Sequence, residues 1–367
     1  MTNSWWQNDC LAINEKVKTE AQDRQGILTK PPGSLGRLED VAITLASLYG
    51  DNSPEIKQPL ITIFAGDHGV VAQGVSAFPQ AVTVEMIRNF VNGGAAISVL
   101  ANVNQAALKV VNCGTAFDVD FADDYDALID KQVAAGTADL SLQSAMTSEQ
   151  LEQALCIGQQ VVEQGKKDGI DLFIAGEMGI GNTTPAAALG CAYLKGQPIN
   201  DHVISPVNMT GRGTGIDDAA LANKVNVIER ALARLKLDEL SAAQILQELG
   251  GFEIAAITGA YIRCAQLGIP VLVDGFITTA AALAACKMNP QVQDWLLFSH
   301  QSEEQGHQLM LAALKAEPLV QLGLRLGEGS GAATVLPLLR QACALHSGMA
   351  TFAEAAISSS DSVADME

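Results

Sequence analysis

The chain has 367 residues, 48% of them hydrophobic, and its 22 Lys and Arg against 41 Asp and Glu give a formal charge of −19. A chain of this length buries roughly three quarters of its unfolded surface, so it needs no staples for stability, and its charge has the wrong sign for a nucleic-acid partner. Seven Cys without a C-x-x-C pair (10, 113, 156, 191, 264, 286 and 343) read as reduced core residues of a cytoplasmic protein.

The start of the chain, Met1–Gln7, has neither the basic nor the apolar region of a secretory signal. No window reaches about 18 uninterrupted apolar residues, so no membrane partner is expected. Helical periodicity over the first ~55 residues and the last ~35 predicts a small helical domain built from both ends, 1–55 with 335–367, beside a large α/β catalytic domain at 56–334. The polar, acidic tail after Ser358 reads as frayed.

Within the large domain, short and nearly continuous apolar runs recur at Leu60–His68, Leu108–Gly114, Asp171–Glu177, Pro270–Gly275 and Trp295–His300. Such runs mark strands buried on both faces. Helical stretches at 80–103, 148–166, 217–235, 253–267, 275–288 and 303–315 separate them, and this alternation predicts a parallel, Rossmann-like sheet flanked by helices. Ligands of such sheets bind at the carboxyl ends of the strands.

The loops at those ends carry the chemistry. Asp67-His68 orients a substrate, forms an acid–base pair or fixes its own loop. Gly176–Pro185 follows a strand and opens a helix, with glycines and two Thr arranged as an anion cradle. It lacks the Lys of a P-loop and the spacing G-x-G-x-x-G. Its alternative is a tight turn with Thr184 as N-cap and Pro185 first in the helix. Gly211–Asp218 enters a second helix, in which Lys224 lies about two turns on, and Asp217 reads as its N-cap. His300 and His307 do not have H-E-x-x-H spacing, so no zinc site is expected, and Ser302 either contacts phosphate or caps the next helix. Finally, Glu328 sits among Gly327, Gly329 and Gly331 before the helical run Ala332–Leu339. It is either a base on exposed backbone or a first-turn acid that complements the helix dipole.

Six of these segments, in register from about residue 26 to about 357, resemble nicotinate-nucleotide–dimethylbenzimidazole phosphoribosyltransferases: Lys30–Glu39, Gly66–Val70, Gly176–Pro185, Gly250–Glu253, Val273–Phe276 and Arg325–Ala332. The resemblance implies transfer of ribose 5-phosphate from nicotinate mononucleotide to 5,6-dimethylbenzimidazole, giving α-ribazole 5′-phosphate for the lower ligand of cobalamin. It implies Glu328 as the proton acceptor. Glu177, Gly179, Gly181, Asn182, Thr183, Lys224, Ser302 and Gly327 line the ribose-phosphate site by the same resemblance, and Phe78, Met86 and Leu326 wall the slot for the aromatic base. It also implies a homodimer without metal or redox cofactor. The chemistry agrees: the pyridinium leaves as a neutral ring nitrogen and needs no acid, so one base suffices for the incoming benzimidazole.

Overall fold

In the computed structural model, which describes residues 4–119, 127–199, 203–213 and 215–358, six parallel strands form one sheet. They are β1 (Pro59–Gly66), β2 (Ala107–Gly114), β3 (Leu128–Asp130), β4 (Leu172–Met178), β5 (Val271–Val273) and β6 (Leu296–Phe298). Their order is β3-β2-β1-β4-β5-β6. This is the Rossmann-like arrangement expected, with the reversal of strand order between β1 and β4, where sheets of this kind leave a crevice.

Every residue of β1 is buried, which is why an uninterrupted apolar run marks it. The strand β3 escapes such a reading because it is three residues long and none of them is buried. The predicted helix at 80–103 is two helices, Ala81–Val91 and Ala96–Val103, broken at Asn92-Gly93-Gly94, where Gly93 has φ +80°. The helix Ser148–Lys167 opens with a capping box from Thr147 and Gln150. It packs against Phe252–Leu267 through glycine notches: a β-carbon at Gly158 would overlap Ala256, and one at Gly259 would overlap Leu155. Two helices of ordinary composition could not approach so closely.

The described residues fall into two compact units, one within Met1–Cys10 and Gln58–Thr334, the other within Leu11–Lys57 and Val335–Glu367. The described residues 4–10 thus group with the sheet, not with the terminal helices expected for 1–55. The reason is hydrogen bonding: Gln266 Nε2 donates to the carbonyls of Trp5 (2.9 Å) and Asn8 (3.2 Å), and Asn289 Nδ2 donates to those of Trp6 (3.2 Å) and Asn8 (2.9 Å).

In the second unit, helices Glu15–Ile27 and Arg37–Tyr49 pack around Val17, Ala21 and Ala46. Arg24 donates to the carbonyls of His346, Ser347 and Met349, satisfying the end of the last helix. Lys30 and Glu39 form a buried ion pair at 2.8 Å, and Glu39 also accepts from the Gly33 and Leu35 N–H groups. That turns the Lys30–Glu39 motif into a tied loop. The tail after Ser358 lies outside the described residues, and no described helix is long and apolar enough to cross a membrane.

Candidate active site

A cavity of about 670 Å³ opens at the carboxyl ends of β4, β5 and β6, wholly within the sheet-bearing unit. Glu177, Gly179, Gly181, Asn182, Thr183, Lys224, Ser302, Gly327 and Glu328 all line it, as do Phe78, Met86 and Leu326. The sequence therefore assembles all twelve in one place. Among the described residues no group of three or more His, Cys, Asp or Glu is arranged to hold a metal ion.

On one wall the chain leaves β4 through Gly179-Ile180-Gly181 and enters the helix Thr183–Tyr193. Neither Thr184 nor Asn182 caps that helix: it starts one residue before Thr184, and the Asn182 amide donates instead to Glu177. Thr184 N–H is taken by the Gly181 carbonyl and Pro185 has none, so at this turn an anion meets chiefly the Thr183 backbone and hydroxyl. Lys224 reaches this turn from the helix Asp218–Ala233, which Asp217 caps by accepting from Ala220 N–H. Its Nζ donates to Thr183 Oγ1 at 2.7 Å, and burial pushes the ammonium down to about 8, opposed by the Glu304 carboxylate. Burial drives Glu177 the other way, up to about 8, with the charges of Asp274 and Glu253 adding to it and the Asn182 amide opposing.

The loop is anchored from below by a residue that sequence reasoning passed over. Thr83 Oγ1 accepts from Ile180 N–H at 3.2 Å and donates to Asp67 Oδ1 at 2.6 Å, while Asp67 Oδ2 accepts from Ala116 N–H. Asp67 is thus a loop-fixing group, buried completely. A threonine in a helix's first turn is so ordinary that no local signal singles out Thr83. His68 pairs not with Asp67 but with Glu253, 2.9 Å away though outside hydrogen-bond geometry, and both side chains are fully buried. Burial opposes the imidazolium, but Glu253 and Asp67 together outweigh it and raise His68.

On the opposite wall three consecutive residues, Gly327, Glu328 and Gly329, have left-handed backbones with φ of +85°, +64° and +83°. Glycine takes that conformation freely, whereas for Glu it costs about 1–2 kcal/mol. Such strain persists only where the surroundings impose it. Asp274 helps impose it, since its carboxylate accepts from the N–H groups of Gly275, Gly329 and Ala332. Glu328 precedes the helix Ser330–Gly348 and so is not a first-turn acid. The residue is 7% exposed, and its carboxyl accepts from Ile97 N–H and leaves Oε2 without a hydrogen-bond partner. Burial raises its pKa, and the charge of Asp274 adds to the rise.

Ser302 does not cap the next helix, which begins at His307 behind Gly306. Its N–H and hydroxyl both meet His307 Nδ1 at 2.9 Å. At the mouth, Phe78 and Leu326 are 48% and 58% exposed, with Val82 and Met86 between cavity and core. Arg212, Glu304 and Arg325 complete a polar side that the motifs did not single out.

A parallel sheet in this strand order, with a glycine-rich turn, a buried lysine and several carboxyl groups lining one cavity, suits a phosphorylated ligand. The chain matches the family model described as phosphoribosyltransferase over residues 10–357, and it belongs to that family. Relatives named nicotinate-nucleotide–dimethylbenzimidazole phosphoribosyltransferase include one from Pseudomonas putida strain F1, 53% identical over 357 residues, which are 97% of this chain and 99% of the relative. Another, from Pseudomonas aeruginosa strain UCBPP-PA14, is 53% identical over 359 residues, 98% and 99% of the two chains. A crystal structure of the enzyme of that name from Thermus thermophilus superposes with a TM-score of 0.87 at 41% identity, covering 95% of this chain and 100% of that one.

Proposed function

We propose that this phosphoribosyltransferase moves the 5-phosphoribosyl group of nicotinate mononucleotide to 5,6-dimethylbenzimidazole, forming α-ribazole 5′-phosphate and nicotinate. The observation that carries the reading is Glu328: a buried carboxyl in left-handed backbone at the cavity wall, with one oxygen unpartnered. The names of the full-length relatives supply the substrates.

In this mechanism the bond between the anomeric carbon and the pyridinium nitrogen breaks, and its electron pair leaves with nicotinate as a neutral ring nitrogen. One benzimidazole nitrogen attacks from the opposite face, inverting β to α, while Glu328 takes the proton from the other nitrogen. The oxocarbenium character of the transition state is favoured by the carboxylates around the ring. The first turn at Thr183, Lys224 and Ser302 hold the phosphate, Glu177 and Asn182 lie beside the ribose, and Phe78, Met86 and Leu326 flank the aromatic base. No step requires a metal or redox cofactor.

The same reading takes the protein as a cytoplasmic homodimer whose terminal helices form a domain of their own; light scattering that gives the monomer mass would remove the dimer. The reaction is tested by incubating the protein with nicotinate mononucleotide and dimethylbenzimidazole and seeking α-ribazole phosphate by mass. No product with any benzimidazole or purine acceptor would sink the assignment.

A further inference from the structure

Behind Ser302, outside the cavity lining, His307 is fully buried and its hydrogen bonds fix its protons. The Ser302 backbone N–H lies 2.9 Å from Nδ1, and because an amide N–H can only donate, Nδ1 carries no proton. Ser302 Oγ is 2.9 Å from the same nitrogen, so the hydroxyl donates there too and two donors share one electron pair. The proton therefore sits on Nε2, which donates to Thr279 Oγ1 at 3.0 Å. Burial, reinforced by His300, pushes the imidazolium down to about 3, so the ring stays neutral at ordinary pH.

We infer that His307 is a positioning residue for the sugar-phosphate donor: it holds Ser302 by its backbone N–H while leaving the Ser302 hydroxyl free to turn from Nδ1 to a phosphate oxygen. The inference rests on the proposed role of Ser302 as a phosphate contact. Turning a buried hydroxyl toward a ligand ordinarily strands its former acceptor, and that loss weakens binding. Here nothing is stranded. Nδ1 keeps the N–H of Ser302 itself, so the hydroxyl is delivered to the ligand while its loop stays in place.

Asn and Gln at position 307 separate this from a packing role. The amide oxygen of Asn falls near Nδ1 and keeps an acceptor for Ser302, whereas the longer Gln reaches toward Thr279 and leaves Ser302 without one. Calorimetry and steady-state kinetics with nicotinate mononucleotide are expected to show Kd and KM raised by about 10-fold in His307→Gln, kcat within about 3-fold, and His307→Asn close to wild type. In a Ser302→Ala background, His307→Gln is expected to add less than about 2-fold, because the hydroxyl it serves is already gone. Nitrogen-15 spectra of the wild-type protein, which need no variant to fold, are expected to show Nδ1 unprotonated from about pH 5 to 8.

Equal losses in the Asn and Gln variants, full additivity with Ser302→Ala, or a proton on Nδ1 would overturn the role of His307 alone. Unchanged binding in Ser302→Ala would overturn the phosphate contact at Ser302, and the inference with it.

Discussion

The carbonyl of Glu328 lies so close to Gly176 that a β-carbon at 176 would overlap it. Strand β4 is therefore the floor on which the left-handed turn at 327–329 rests. That contact holds Glu328 in a conformation its own side chain disfavours. Asn tolerates left-handed backbone, so Glu328→Asn relieves the strain and removes a buried carboxyl. Loss of the contact to Ile97 N–H offsets part of the gain. The net expectation is a rise of about 0.5–1 kcal/mol in unfolding free energy, read from denaturant midpoints, with phosphoribosyl transfer abolished. A lowered midpoint would mean that the carboxylate holds the fold.

Glu328→Gln keeps size and shape but cannot take a proton. Turnover is expected to fall by about 10²–10⁴ while the Kd for nicotinate mononucleotide changes little, as measured by initial rates and calorimetry. Near-normal turnover would remove Glu328 from the role of base.

Alkaline pH is expected to weaken donor binding twice over. Glu177, raised to about 8 by burial, gains its negative charge in the same range in which Lys224, lowered to about 8 by burial, loses its positive one. Both changes oppose a phosphate. The Kd for nicotinate mononucleotide, followed by calorimetry from pH 7 to 9.5, should rise above pH about 8 with a slope approaching two protons. A flat profile would take these groups out of the site. The stability effects have different windows. Glu177, whose folded pKa is raised from 4.5, favours the fold most below 4.5 and loses that contribution as pH rises to about 8. Lys224, whose folded pKa is depressed from 10.5, destabilises fully below about 8, and that penalty disappears between 8 and 10.5.

Phe78 is half exposed at the cavity mouth, so truncating it removes little core. Phe78→Ala is expected to leave stability within about 0.5 kcal/mol while raising KM for dimethylbenzimidazole by about 10-fold. An unchanged KM would place the aromatic acceptor elsewhere in the cavity.

Much of the site was legible because its signals are local. Apolar runs ending in glycine or a polar residue marked five strands and the loops after them. Lys224 carries a signal of its own: it shares a buried helix face with Val227, Ile228 and Ala231, and a lysine on an apolar stripe needs a reason. What escaped depends on distant contacts. Nothing near Thr83 tells that its hydroxyl serves both Asp67 and Ile180, and nothing near Thr184 tells that Asn182 turns away to Glu177. The left-handed backbone of Glu328 was hidden for the same reason, since glutamate does not choose it and only β4 and Asp274 impose it.

The contacts that set Glu328 in place also order events in time. Asp274 and Ala332 are 58 residues apart, and Gly176 is farther from Glu328 still, so the turn at 327–329 can form only after long loops have closed. All six strands precede residue 299. A nascent or refolding chain can thus complete its sheet, and bury most of what the sheet covers, before it possesses the carboxyl conformation seen here. Regain of helix and sheet would then precede regain of the proposed activity.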